Sequence, residues 1–257
     1  MLQHLDRPSA VPAGLGQADL DYLKRSDAEN PVFWERFSGR PDVRGRKVLD
    51  VGCGHGGLCF DVARAGAAIV VGIDIEPDRI AFAKEYARSR EPNLRNLSFH
   101  AIALGALRET DFDLVLSKDS FEHIDDIPGV LADMRERLKP GGRAYIGFSP
   151  LYNSYNGAHG RCGVKFPWGH LILGEQRIVD RLNRQGEQRI ASVRDLGLNM
   201  HSLAEHTAFL QNSGMRIVDM RVNVGNHPLM GVFSTIGRVP FLREYFSHNL
   251  YCVLERP

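Results

Sequence analysis

Between residues 46 and 149 the apolar positions follow two alternating rhythms. Short runs of apolar residues over 47–51, 68–75, 96–101, 111–117 and 143–149 predict buried parallel strands. Between them lie helical signals. Residues 58–65 suit a helix with Gly66 as its stop, and Glu76-Pro77-Asp78 opens another. Ile127, Val130, Leu131, Met134 and Leu138 recur at helical spacing, and Lys139-Pro140-Gly141-Gly142 ends that helix. Strands alternating with helices require a mostly parallel sheet with right-handed crossovers, the α/β class.

Outside this core the pattern changes. Residues 1–16 are punctuated by Pro and Gly and are expected to be loosely ordered. Residues 17–26 and 31–37 read as two short helices, the second bearing Phe33, Trp34 and Phe37. After Pro150, some fifty residues of loops, aromatics and histidines carry one expected helix, over 174–184. Ser202-Leu203-Ala204-Glu205 is a capping box opening a helix through Gln211, with Gly214 as its stop. Residues 215–224 and 249–255 read as two final strands. The stretch 230–246 between them is long for a hairpin loop and is expected to fold into a helix or two.

Bulk properties narrow the class. A chain of 257 residues suits one large α/β domain or one domain with an elaborated cap. Net charge is +1 with acids and bases interspersed, and no basic block or aromatic-basic stripe appears, which weighs against a nucleic-acid partner. Residues 1–16 hold no continuous apolar stretch, so neither a signal peptide nor a membrane anchor is expected, and no segment reaches the roughly 18 apolar residues of a membrane span. Cys53, Cys59, Cys162 and Cys252 lack C-x-x-C spacing and read as reduced thiols in a cytoplasmic protein.

The chemistry concentrates where the first strand ends. Asp50-Val51-Gly52-Cys53-Gly54-His55-Gly56-Gly57 breaks a strand into a glycine turn that opens a helix, an arrangement that holds nucleotide-like ligands. Gly52, Gly54 and Gly57 satisfy G-x-G-x-x-G, which would also suit a dinucleotide. Asp50 sits badly with an anionic pyrophosphate. It suits a ligand with a cationic end, such as the ammonium and sulfonium of S-adenosylmethionine. Asp74 ends the second strand about twenty residues past the glycines, where an acid can accept bonds from both ribose hydroxyls. Glu76 is the better candidate to cap the following helix.

The glycine motif resembles the first motif of class I S-adenosylmethionine-dependent methyltransferases of the small-molecule type. Phe112-Asp113-Leu114-Val115, then Glu122-His123-Ile124-Asp125, then Leu138-Lys139-Pro140-Gly141-Gly142 resemble that family's later blocks, in order and at its spacing. The resemblance implies a Rossmann-like, seven-stranded, mostly parallel sheet with one antiparallel strand, helices on both faces and a helical and loop cap. The last strand would insert beside the fifth. It further implies residues 1–40 as an N-terminal helical segment over the cofactor site. Residues 41–257 would then form the methyltransferase domain, with cap insertions at about 150–200 and 225–247. The cofactor would be S-adenosylmethionine, bound through Asp50, Gly52, Cys53 and Gly54 at its methionine end and through Asp74, with Ile75 beside it, at the ribose. Ser117 and Lys118 would border the methyl group. The Gly-Asp-Ala that relatives often place after the third strand is missing here; His100-Ala101-Ile102-Ala103-Leu104-Gly105 stands there instead. Adenine is then left to backbone near Ala103, or to Glu109 or Asp111.

Methyl transfer needs an aligned nucleophile, a dry site and often the removal of one proton. Histidine suits that removal near neutral pH, and His123, His159 and His170 are the candidates. Each also has a bland reading, as a backbone-bonded or loop-packing residue. No metal is expected, since His159, Cys162 and His170 match no common ligand spacing. The expected function is methylation of a small-molecule acceptor, most plainly at a hydroxyl oxygen. N- or C-methylation, a non-catalytic cofactor-binding fold and a nicotinamide-dependent oxidoreductase are the alternatives. The last lacks a Tyr-x-x-x-Lys or similar constellation for hydride transfer.

Overall fold

The computed structural model describes residues 15–186, 189–225 and 227–257; the expectation for residues 1–14 lies outside them. The chain opens with α1 (Gln17–Glu35), followed by β1 (Lys47–Val51), α2 (Gly57–Arg64), β2 (Ile69–Asp74), α3 (Pro77–Arg90) and β3 (Leu97–Ala101). Then come β4 (Phe112–Lys118), α4 (Ile127–Arg137) and β5 (Leu138–Phe148). The remainder is α5 (Gly169–Leu173), α6 (Glu175–Gln185), α7 (Leu203–Gln211), β6 (Arg216–Val222), α8 (Pro228–Ile236), α9 (Pro240–Arg243) and β7 (Leu250–Glu255). The strand order is β3-β2-β1-β4-β5-β7-β6. β7 runs antiparallel to both of its neighbours, which makes it the one reversed strand of an otherwise parallel sheet.

Two compact units divide the chain, residues 15–31 with Pro41–Arg108 and Val32–Arg40 with 109–257. In the first, β1, β2 and β3 pair in parallel, with Leu49 opposite Val71 and Gly72 opposite Phe99. Four of the five β1 residues are buried, as a strand covered on both faces requires. α2 turns Leu58, Cys59, Phe60, Val62 and Ala63 inward, and it packs on β2 and β3. In the second unit β4 and β5 pair in parallel, β5 continues into β7, and α4 packs on β5 and α7. Residues 150–200 build a small core of their own from Tyr152, Ala158, Cys162, Ile178, Val193 and Leu198.

The element pattern read from sequence holds with three adjustments. One helix, Gln17–Glu35, runs through Pro31 where two were expected, and residues 36 and 37 lie in the turn that follows it. Within the helix Asn30 donates its side-chain amide to the Gly57 carbonyl at 3.1 Å. The Lys-Pro-Gly-Gly segment stops α4 but does not stay a loop. It opens β5, because Gly141 and Gly142 exchange backbone bonds of 2.9 Å with Arg256. The 169–173 stretch adds a short helix to the cap. The capping box at Ser202 and Glu205 is present as expected.

Candidate functional site: a glycine turn and a histidine-carboxylate cluster

In the first unit the turn after β1 is held to β2 through its backbone amides. The amides of Gly52 and Cys53 both donate to the Ile73 carbonyl, at 2.9 and 3.0 Å. The Gly54 amide donates to Asp74 Oδ2 at 2.8 Å, and the Glu76 amide to Asp74 Oδ1 at 2.9 Å. Asp74 therefore ties the turn to the start of α3 while keeping free lone pairs on each oxygen. The Glu76 side chain makes no cap bond to α3, contrary to expectation. Ile75, next along, is 72% exposed, an apolar shelf beside the acid.

Gly54 has φ +52, and a Cβ there would meet no atom of the described residues within 4 Å. The backbone conformation favours glycine, while the space beside it is open. Gly56 is glycine for a different reason: a Cβ would strike the Phe99 ring at 2.9 Å. Asp50 is buried and its Oδ2 accepts the Cys59 thiol at 3.2 Å. Cys53 turns its sulfur inward towards Gly72, so it presents backbone rather than side chain. No side chain caps α2, which leaves the amides of its first turn for an anion such as a ligand carboxylate. His55 bonds Asp19 of α1 through Nε2 at 2.9 Å and packs against Tyr22 and Phe82. Ala103 is exposed just before a 3-10 turn, Leu104–Ala106.

In the second unit β4 ends in buried Ser117 and half-buried Lys118, whose Nζ lies 6.0 Å from the Phe33 ring centroid. The 3-10 turn Phe121–His123 follows. Asn199 fastens it: its Nδ2 donates to the carbonyls of Phe121 and Ile124 at 2.6 and 2.8 Å, and its amide to Glu122 O at 3.1 Å. Glu122 is consequently buried, and its Oε2 has no hydrogen-bond partner. Burial, helped by the charge of Asp119, pushes its carboxyl well above the usual range.

His123 and His159, far apart in sequence, meet here with ring centroids 5.3 Å apart. His123 Nδ1 lies 2.6 Å from the Gly197 carbonyl, which can only accept, so Nδ1 carries a proton there. His159 Nε2 is buried without a partner, and burial lowers its pKa to about 4. Glu122, His123 and His159 each bring one potential ligand atom within 4.8 Å of the others. His170 does not join them. It is 4% exposed, donates through Nε2 to the Tyr152 carbonyl at 2.6 Å and packs on the Tyr152 ring. Its placement sets it apart from the other two candidate bases. Glu122 was visible in sequence only as part of a motif, and Asn199 carried no signal, since its partners lie over seventy residues away.

The family model described as a methyltransferase domain matches residues 42–150. A ubiquinone biosynthesis O-methyltransferase of Methylococcus capsulatus is 34% identical over 132 residues, which cover 51% of this chain and 54% of the relative. The chain thus spans about half the length of that curated relative. Among solved structures, an S-adenosylmethionine-dependent methyltransferase from Mesorhizobium loti superposes with a TM-score of 0.56 at 16% identity, covering 95% of this chain and 100% of the other. Magnesium protoporphyrin IX methyltransferase from Synechocystis PCC 6803, with bound S-adenosylhomocysteine, gives 0.55 at 17%, covering 93% and 84%. These two likenesses carry the fold. The glycine turn and the Glu-His block both lie inside residues 42–150, the segment that matches the methyltransferase-domain model.

Proposed function

We propose that this protein transfers the methyl group of S-adenosylmethionine to a hydroxyl oxygen of a small-molecule acceptor. The observation that carries the choice of oxygen is the Glu122, His123 and His159 cluster. A hydroxyl must lose its proton as the sulfonium S–CH3 bond breaks and the O–CH3 bond forms. We assign the removal of that proton to His123, whose ring is oriented by the bond from Nδ1 to the Gly197 carbonyl. Glu122, held protonated by burial, donates a hydrogen bond to the acceptor rather than removing its proton. His159, neutral at physiological pH, orients the acceptor by its unpaired nitrogen.

The cofactor contacts follow the family resemblance. The turn through Asp50, Gly52, Cys53 and Gly54 takes the methionine end, Asp74 and Ile75 the ribose side, Ala103 the adenine, and Ser117 and Lys118 the methyl group. The cap insertions at about 150–200 and 225–247 shape the acceptor side. The interspersed surface charge argues against a nucleic-acid substrate. No helix among the described residues is long and apolar enough to cross a membrane, and the four free thiols fit a reducing cytoplasm.

One observation favours a second reading of the same cluster. Two of its three donors are buried atoms without partners, and a carboxylate with two imidazoles is a donor set for a divalent cation. Bound there, a cation would lower the pKa of an acceptor hydroxyl and keep Glu122 ionised.

The test is release of S-adenosylhomocysteine from S-adenosylmethionine with catechol and related hydroxylated acceptors. His123→Ala is expected to lower turnover by roughly 100-fold or more while cofactor affinity, read by calorimetry, stays unchanged. Full turnover in that variant would remove His123 as the base. Loss of activity in EDTA, restored by Mg2+ or Mn2+, would select the cation reading over the unaided histidine. Methylation of amines but of no hydroxyl compound would overturn the choice of oxygen.

A further inference from the structure

Arg36 is a half-buried cation that makes no ion pair among the described residues. Its Nη1 donates to the hydroxyl of Tyr251, and its guanidinium lies 5.1 Å from that ring's centroid. Its Nε is buried with no partner. Tyr251 is a rigid support. It is 2% exposed, its ring lies against the backbone of Gly147, where a Cβ would collide with it, and Phe37 packs on it at 5.1 Å. The Gly225 backbone lies beside the guanidinium, where a Cβ would stand 3.7 Å from Nε, an ordinary contact.

Close by stands His248, whose Nδ1 is likewise buried and unpartnered. Burial together with the charges of Arg36 and His227 lowers its pKa to about 4. Its ring lies 5.3 Å from Tyr155, tilted by 31°. Tyr155 in turn contacts Phe233 and Trp168 of the cap. A fixed guanidinium without an ion pair among the described residues, an imidazole nitrogen without a partner among them and an aromatic panel beside both describe one kind of occupant. A buried cation is stabilised by a paired anion and is costly to leave alone. Guanidinium binds carboxylates with shorter, stronger hydrogen bonds than neutral groups make.

We propose that Arg36 and His248 form a carboxylate-recognition subsite, so that the preferred methyl acceptor is a hydroxylated aromatic acid. The proposal rests on the methyl-transfer reading above and adds the acceptor's class to it. Arg36 anchors the carboxylate through Nε, His248 supplies a second hydrogen bond through Nδ1, and Tyr155 faces the ring. No bond is made or broken at this subsite; it sets which acceptor binds.

The test compares 3,4-dihydroxybenzoate with catechol, two probes that differ by the carboxylate alone. Calorimetric titration of the whole protein, saturated with S-adenosylhomocysteine, is expected to show dihydroxybenzoate binding at least tenfold more tightly. In Arg36→Gln that ratio should fall to near one, with Arg36→Lys intermediate, because lysine keeps the charge and loses the planar fork. His248→Gln should reduce the ratio by a smaller factor. Equal binding of the two probes by the wild-type protein, no measurable binding of dihydroxybenzoate, or an unchanged ratio in Arg36→Gln with its melting temperature preserved would each overturn the subsite. Should Arg36→Gln fail to fold, the lysine and His248 variants carry the decision. Failure of methyl transfer is read separately: tight binding of dihydroxybenzoate without S-adenosylhomocysteine release would leave the subsite standing and sink the activity.

Discussion

Gly54 and Gly56 stand two residues apart and answer to different forces. At Gly54 the side-chain direction is open, and only φ +52 opposes a larger residue. Gly54→Val should therefore fold with a penalty of about 1–2 kcal/mol, the strain of a left-handed β-branched residue. It should lose cofactor affinity by tenfold or more, because the valine occupies the space that the ligand needs. A thermal melt and a titration with S-adenosylhomocysteine check the two halves; unchanged affinity would show that the space is not ligand space. Gly56→Val differs, since the Phe99 ring already fills its site and the fold itself should suffer. Asp74→Ala removes the acceptor of two backbone amides, so it should lower stability by about 1–3 kcal/mol as well as weaken cofactor binding. Asp74→Asn, which keeps one acceptor oxygen, should recover part of the stability.

The turn that carries Glu122 and His123 owes its shape to an element distant in sequence. Segment 193–200 bonds it through Asn199, through the Gly197 carbonyl on His123 and through the 3.0 Å Arg194–Asp125 pair. Asn199→Ala is expected to cost about 1–3 kcal/mol, since it strands two buried carbonyls. Turnover should fall through kcat more than KM, because His123 loses its fixed orientation while the cofactor turn is untouched. Asn199→Asp, which cannot donate to both carbonyls, should not rescue it; a variant with wild-type kcat would show that the clamp is merely structural. The same contrast explains what sequence could reveal. Strands and helices of residues 46–149 were legible because local periodicity and glycine stops are written into adjacent residues. Asp74 and the glycine turn were legible for the same reason. His123 was legible from its block, but its partner His159 was one histidine among several until the chain brought their rings to 5.3 Å. His170 looked equivalent in sequence and lies apart from that pair, bonded to the Tyr152 carbonyl. Arg36 gave no local sign either, because its lone partner, Tyr251, sits at the other end of the sequence.

Across the whole molecule, the buried histidines set how stability responds to acid. Burial is the main cause in each case: it lowers His206 to about 3 and His159 and His248 to about 4. An unfolded chain titrates these rings near 6.5. Between that value and the lowered ones the unfolded state binds protons that the folded state refuses, so stability falls as pH falls. Glu122 acts in the opposite sense. Its folded carboxyl keeps a proton that the unfolded chain surrenders above about 4.5, so its contribution is lost as pH rises. Three rings outweigh one carboxyl, and the melting temperature should drop between pH 7 and pH 5. His206 is 2% exposed and packed on Phe148, and it alone should account for about 2 kcal/mol of that loss. His206→Phe should flatten the profile, while Glu122→Gln should raise stability at pH 7 and steepen the fall towards pH 5. Melts of the three proteins across that range decide it. A wild-type profile that stays level, or a His206→Phe profile as steep as wild type, would mean that these rings already carry protons in the folded state, with buried partners supplied by the molecule's own water or ligands.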